Sequence, residues 1–124
     1  MEKLLEKEIE KILTTEAKRA GGISYKWVSP GNDGVPDRIV MLPGANVEFC
    51  ELKTESGRLS ELQKKQIARI EKLGMDVSVI YGVKGVADFF RYNGEGKIAD
   101  SIEAKYGKEK WYGKGKYVFR GKRI

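Results

Sequence analysis

The chain has 124 residues, a formal net charge of +6, one Cys and no His. This length predicts one domain with a real hydrophobic core. The lack of His excludes Ser-His-Asp and Cys-His nucleophilic sites and His-ligated zinc, and the single Cys50 excludes an intrachain disulfide and is expected to be a buried thiol. No apolar run is as long as a membrane span, and the amino terminus is charged, so we expect a cytoplasmic protein with no membrane partner.

Hydrophobic periodicity predicts a mixed sheet flanked by helices, an α/β (α+β) class. The first helix has Leu5, Ile9, Ile12 and Leu13 on one face. The second and third strands are joined by turn residues and should form a hairpin. The predicted elements are helix 2–20, strands 23–28, 38–42 and 47–53, helix 60–73, strand 77–81 and helix 83–91.

The excess positive charge lies at the end of the chain. Residues 1–90 hold 14 basic and 14 acidic residues, whereas residues 91–124 hold 10 and 4. This tail also carries half of the aromatic residues, so it either binds nucleic acid, with Lys114 and Lys116 as contacts, or completes the core with its aromatic rings. Its glycines predict a β-hairpin or a loop-rich extension. We therefore expect residues 1–91 to form the core and residues 92–124 an extension of the same domain.

An acidic and basic cluster is predicted where the hairpin strands meet. Glu51 and Lys53 project from the same side of one strand, and Asp37 lies beside them if the two strands pair antiparallel. Carboxylates suit Mg²⁺ or Mn²⁺, which can activate water for phosphodiester hydrolysis while Lys53 orients the water or stabilises charge. From the Glu51 and Lys53 spacing alone, a simple surface ion pair is the alternative.

A set of motifs in a fixed order resembles the VRR-NUC nuclease domain of the PD-(D/E)xK superfamily. The resemblance covers residues 2–90 and implies a restriction-endonuclease-like core with the order αβββαβ, followed here by an extra C-terminal helix and tail. The motifs are Glu10, Tyr25-Lys26-Trp27-Val28-Ser29-Pro30-Gly31, Gly34-Val35-Pro36-Asp37-Arg38, Glu51-Leu52-Lys53, Gly57-Arg58-Leu59-Ser60-Glu61-Leu62-Gln63 and Leu73-Gly74.

The resemblance implies roles for residues at matching positions. Asp37 and Glu51 would be ligands of Mg²⁺ or Mn²⁺, and Lys53 would be the catalytic lysine. Gln63 would contact the active site or hydrogen-bond a strand end. An acidic residue of the first helix should complete the site, and Glu10 fits this place better than Glu6, although both could be solvated surface charges.

Three further residues match the family near the expected phosphate. Lys26, Ser29 and Arg38 could touch DNA, or Arg38 could cap the edge of the sheet. The resemblance implies a metal-dependent, structure-specific DNA endonuclease, similar to Holliday-junction resolvases, acting as a homodimer on branched DNA in a bacterial or phage-infected cell. The alternatives are a flap, splayed-arm or general DNA nuclease, or a non-catalytic DNA-binding module. Possible dimer surfaces are the second helix, the 83–91 segment and the tail.

Overall fold

The computed structural model describes residues 4–119 as one five-stranded mixed sheet with helices on both faces, which confirms the predicted fold class. In chain order the elements are α1 (Glu6–Arg19), β1 (Ile23–Lys26), β2 (Arg38–Leu42), β3 (Asn46–Lys53), α2 (Glu61–Lys72), β4 (Val77–Tyr81), α3 (Gly82–Tyr92), α4 (Gly96–Tyr106), a 3₁₀ turn (Tyr112–Lys114) and β5 (Lys116–Phe119).

The strands lie side by side in chain order, from β1 to β5. The β1, β2 and β3 strands pair antiparallel, β3 and β4 are parallel, and β4 and β5 are antiparallel. Only the parallel pair needs a crossover connection, which α2 supplies. The pairing of Arg38 with Cys50 and of Leu42 with Asn46 confirms the predicted hairpin and fixes which side chains share a face.

Each face of the sheet has its own hydrophobic cluster. The larger one joins α1, α3 and α4 to one face and contains Leu13, Val40, Leu52 and Phe89. Cys50 is fully buried in this cluster, as predicted. The smaller cluster lies under α2 and contains Ile67, Val77 and Val79. Since side chains alternate along β3, Glu51 and Lys53 project from the face that α2 covers, opposite to Cys50.

The structure corrects the prediction at the start of α1. Leu5 was expected in the apolar stripe but is the N-cap residue and is exposed, and Leu4 is buried in its place. The remaining predicted positions, Ile9, Ile12 and Leu13, face the core. The first strand is also shorter than expected and ends at Lys26, because the chain then leaves the sheet as a loop with Val28 exposed.

The expectation of a hairpin or loop-rich tail is wrong. Ile98, Ala99 and Ile102 face the core from α4, and β5 then adds a fifth strand beside β4. Trp111 and Tyr112 are buried in the larger cluster, so these two rings complete the core. Residues 120–124 lie outside the described part of the chain. Among the described helices, none combines the length and the apolar character needed to span a membrane.

Candidate active site

Three charged residues meet where β2 begins and β3 ends. Asp37 directly precedes β2, and the pairing of Arg38 with Cys50 places it opposite Glu51. The backbone N–H of Leu52 donates a hydrogen bond of 3.0 Å to Asp37 Oδ2, which fixes this carboxylate against β3. Lys53 Nζ lies 3.9 Å from Glu51 Oε2. The structure therefore brings two carboxylates and one ammonium together on one side of the sheet.

Glu51 is the most unusual residue of this cluster, because its carboxylate is almost completely buried at 1% exposure. Its Oε2 accepts a hydrogen bond of 2.8 Å from Gln63 Nε2. Its Oε1 has no hydrogen-bond partner among the described residues. A buried, unsatisfied carboxylate oxygen is costly, and such atoms in native folds are often explained by an ion or water.

The surroundings of Glu51 favour its protonated form. Burial is the largest effect and, with the nearby charge of Asp37, raises the pKa of Glu51 to about 8, although Lys53 lowers it. Burial and the nearby negative charge of Asp37 therefore favour the protonated form of Glu51 near neutral pH. A divalent cation bound beside these carboxylates would instead favour the ionised form of Glu51.

Gln63 connects the site to the first turn of α2. Its Oε1 accepts a hydrogen bond of 2.8 Å from the backbone N–H of Ser60, and its own N–H donates to Ser60 Oγ at 3.1 Å. This capping box satisfies two backbone donors at the start of the helix. The side-chain Nε2 of Gln63 donates to Glu51, so one side chain both caps the helix and orients the carboxylate.

The loop that carries Asp37 is held against the same helix. Gln66 Nε2 donates a hydrogen bond of 3.1 Å to the carbonyl oxygen of Asp33. Gly34 has φ +89°, and a Cβ placed there would lie 2.8 Å from the backbone oxygen of Leu62. Only glycine permits both this conformation and this close approach. The loop and α2 therefore position Asp37 and Glu51 as one unit.

We expect Gly34→Ala to cost more stability than Gly31→Ala. Both glycines have positive φ, but a Cβ on Gly31 would meet no atom within 4 Å. Left-handed strain of about 1–2 kcal/mol applies to both variants, and overpacking adds about 1–3 kcal/mol at Gly34 alone. Urea unfolding of the two variants measures the difference. Equal losses would show that the contact between the loop and α2 does not carry this energy.

The two glutamates of α1 have different surroundings. Glu10 Oε2 accepts a hydrogen bond of 2.7 Å from Arg38 Nε, and Arg38 also donates to the carbonyl oxygen of Ser24, so Arg38 links α1 to the sheet. Partial burial raises the pKa of Glu6; among nearby charges Lys53 acts most strongly and lowers it, and Asp37 raises it. Glu6 also acts on Glu51. Of the two helix glutamates, Glu6 is thus the one whose charge acts on the cluster.

The other predicted contacts are dispersed. Lys26 pairs with Arg38 across the strands and projects from the α1 face, opposite to Glu51 and Lys53. Ser29 Oγ accepts a hydrogen bond from Asn32 Nδ2 within the loop, and Lys114 is exposed in the 3₁₀ turn. Lys116, in contrast, lies in β5 directly opposite Tyr81, which is opposite Lys53. The motif analysis missed Tyr81, although the alternation of its buried strand could have placed it on this face.

The donor set fits a hard divalent cation. Among residues 4–119, no group of three Asp, Glu or Cys side chains is arranged to hold one metal ion. The pair Asp37 and Glu51 remains, and Mg²⁺ commonly uses one or two protein carboxylates together with water and substrate oxygens. A bound cation would give the unpartnered Oε1 of Glu51 a ligand and would offset the burial that raises the pKa of this carboxyl.

An αβββαβ core whose sheet carries an aspartate, a Glu-x-Lys pair and a helix glutamine on one side is of the PD-(D/E)xK type. The VRR-NUC domain matches residues 3–84, and the chain belongs to this family. "Putative nuclease p44" of Acyrthosiphon pisum secondary endosymbiont phage 1 is 42% identical over 80 residues, which cover 64% of this chain and 86% of that protein.

Two solved structures are similar in fold. A VRR-NUC domain structure has a TM-score of 0.57 at 24% identity and covers 82% of this chain and 96% of its own. A Holliday junction resolvase, Hjc from Archaeoglobus fulgidus, has a TM-score of 0.47 at 20% identity and covers 61% of this chain and 67% of its own. The family match ends at residue 84, so α4 and β5 lie beyond it.

Proposed function

We propose that this protein is a metal-dependent nuclease that hydrolyses phosphodiester bonds of DNA. The observation that carries the proposal is the buried Glu51 carboxylate, which has an unsatisfied oxygen and lies beside Asp37 and Lys53. A structural ion pair would satisfy both carboxylate oxygens, and a DNA-binding module gains nothing from carboxylates that face phosphates. Membership of a nuclease family supports the same function.

Each residue of the site has a distinct task. Asp37 and Glu51 would hold Mg²⁺ or Mn²⁺. When bound, such a cation lowers the pKa of a water molecule and polarises the phosphate, which replaces the general base that a His-free chain lacks. Lys53 lies on the same side and stabilises the negative charge that develops on the phosphate oxygens. Gln63 keeps Glu51 in place through its hydrogen bond.

Lys53→Ala is expected to slow cleavage by roughly 10²–10³-fold, because removal of one preorganised electrostatic donor typically costs that much. The fold should survive, since the ion pair between Lys53 Nζ and Glu51 Oε2 is long, at 3.9 Å. Single-turnover cleavage and circular dichroism measure the two effects. Lys65→Ala, an exposed position on α2, is the matched control. Near wild-type cleavage by Lys53→Ala would remove the lysine from the mechanism.

The helix carboxylate that assists the site is Glu6 in this proposal, although the sequence motif favoured Glu10. Glu6→Gln is expected to reduce cleavage roughly 10–100-fold with little change in stability. Glu10→Gln should instead cost about 1–2 kcal/mol of stability, because Arg38 loses a charged hydrogen-bond partner. Cleavage rates and urea unfolding of both variants check this division. The reverse pattern would return the role to Glu10.

We further propose a homodimer that acts on branched DNA in the cytoplasm of a bacterial or phage-infected cell. Of the possible dimer surfaces, α3 is the least favourable, because most of its residues are buried. The β1, β2 and β3 strands instead leave apolar side chains exposed on the α2 face, and Ile23, Tyr25 and Val47 are each about half exposed. Such a patch on a twofold axis would pair two sites. Light scattering measures the oligomeric state.

The decisive experiment is cleavage of a four-way junction, a 5′ flap, a splayed arm and a plain duplex in Mg²⁺, Mn²⁺ and EDTA. Wild type and Glu51→Gln are compared. Opposed cuts in the junction, lost in EDTA and in the variant, would support the resolvase-like activity. Cuts only in flaps or arms would keep the metal site and change the substrate. Binding without any cleavage would favour a non-catalytic module.

A further inference from the structure

A cleft of ≈ 410 Å³ lies beside the candidate active site. Its walls carry three cationic side chains, Arg58, Lys64 and Lys116, and one carboxylate, Glu55. The ring of Tyr81 also lines it. The cations outnumber the carboxylate, so an anion is the ligand class that fits. The hydrolytic steps described above use none of these side chains.

The strand register places this cleft directly next to Lys53. Lys53 is opposite Tyr81, and Tyr81 is opposite Lys116, so the three form one row across β3, β4 and β5. Two strand spacings separate Lys53 from Lys116, a distance of roughly 10 Å between Cα atoms. The loop that carries Arg58 packs on the same row, because a Cβ on Gly57 would lie 3.1 Å from Lys53 Cβ.

Lys116 is held in position over the cleft. Its Nζ lies 5.2 Å from the centroid of the Tyr81 ring, at the distance of a cation–π contact. Its backbone is fixed by α3, because a Cβ on Gly85 would lie 2.4 Å from the Lys116 carbonyl oxygen. Within residues 4–119, neither Lys116 nor Arg58 forms an ion pair. Two cations next to the site are therefore available to an external anion.

We propose that this cleft binds the phosphate backbone of the DNA strand a few nucleotides from the phosphate that is cleaved. Phosphates of one strand follow each other every 3.4 Å or so along the duplex axis, so a separation of roughly 10 Å spans only a few of them. The inference rests on the proposed nuclease function. Because the family match ends at residue 84, Lys116 is a contact that the C-terminal segment adds to the nuclease core.

The test is binding of a fluorescein-labelled DNA duplex in EDTA, where cleavage is prevented, over a range of NaCl concentrations. Lys116→Ala and Arg58→Ala should each bind several-fold more weakly on any sequence, and each should reduce the slope of log K against log salt by about 1. Lys97→Ala, an exposed lysine of α4 on the opposite face, should change neither quantity.

The role of the ring is tested with two variants of Tyr81. Tyr81→Phe keeps the cation–π partner and should bind like wild type, whereas Tyr81→Leu should lose part of the affinity that Lys116 provides. Thermal melting confirms that each variant is folded. Wild-type affinity and salt slope in both Lys116→Ala and Arg58→Ala would overturn the inference. If the wild type still cuts DNA in that case, only the cleft is wrong and the proposed function stands.

Discussion

Glu51→Gln is expected to abolish cleavage and at the same time to stabilise the fold at pH 8. The variant removes a carboxylate that is buried with one unsatisfied oxygen and beside Asp37. Glutamine is neutral at every pH and can still accept the hydrogen bond from Gln63. The residue that the proposed chemistry requires is therefore one that destabilises the folded chain, a common relation at functional sites.

The contribution of Glu51 to folding stability depends on pH, and it decreases as the pH rises. Burial raises the pKa of Glu51 to about 8 in the fold, whereas the ordinary pKa of a glutamate is 4.5. Between these two pH values the folded state therefore holds a proton that the unfolded state has lost. The contribution of Glu51 is fully present below pH 4.5 and is lost as the pH rises to about 8. This corresponds to about 1.4 kcal/mol per pH unit and a few kcal/mol in total.

Urea unfolding between about pH 5 and pH 9 distinguishes the wild type from Glu51→Gln, because this range includes the raised pKa of Glu51. The stability of the wild type should fall with pH, and that of Glu51→Gln should be nearly flat. Glu109→Gln, in an exposed turn, is the control and should follow the wild type. Mg²⁺ at pH 8 should raise the melting temperature of the wild type but not that of Glu51→Gln. Parallel pH curves would contradict the burial argument.

Trp111→Ala is expected to destabilise the whole domain, although Trp111 lies well beyond the family match. The indole is 5% exposed and packs in the same cluster as α1 and α3. Truncation of a buried aromatic side chain to alanine costs about 3–5 kcal/mol. For a chain of this size the melting temperature should fall by roughly 10–20 °C.

Two controls separate packing from other effects of Trp111→Ala. Trp111→Phe keeps an aromatic ring and removes the indole Nε1, which has no hydrogen-bond partner among the described residues, so it should cost much less. Lys114→Ala changes an exposed residue of the same segment and should leave the melting temperature unchanged. A Trp111→Ala protein that melts like the wild type would show that residues 92–119 are not integral to the folding unit.

The sequence predicted the core well where local patterns agree with the final packing. The strands 38–42 and 77–81 match their predicted bounds, and α2 begins after Ser60, a strong N-cap residue. The α4 helix was not predicted, because the glycines at its two ends indicated a loop, although the spacing of Ile98, Ala99 and Ile102 is typical of a helix. The β5 strand has only four residues and becomes a strand through pairing with β4, which no local pattern encodes.

Local sequence patterns also limit how much of the candidate active site could be predicted. Asp37, Glu51 and Lys53 could be placed from the sequence because strand alternation and one tight turn bring them together. The choice between Glu6 and Glu10 could not be made in this way, since residues four apart share a helix face. The choice depends on which turn of α1 lies next to the end of β3. In the folded chain Glu10 pairs with Arg38, and this contact is not encoded in the local sequence.

The double role of Gln63 ties the lifetime of the site to the fraying of a helix end. Whenever the first turn of α2 opens, the bond from Ser60 to Gln63 and the bond from Gln63 to Glu51 are lost together. Opening of a terminal turn is fast and needs no unfolding of the core. The fraction of time that Gln63 holds Glu51 in place is therefore set by a helix-capping equilibrium, which a substitution at Ser60 can change while Asp37, Glu51 and Lys53 stay intact.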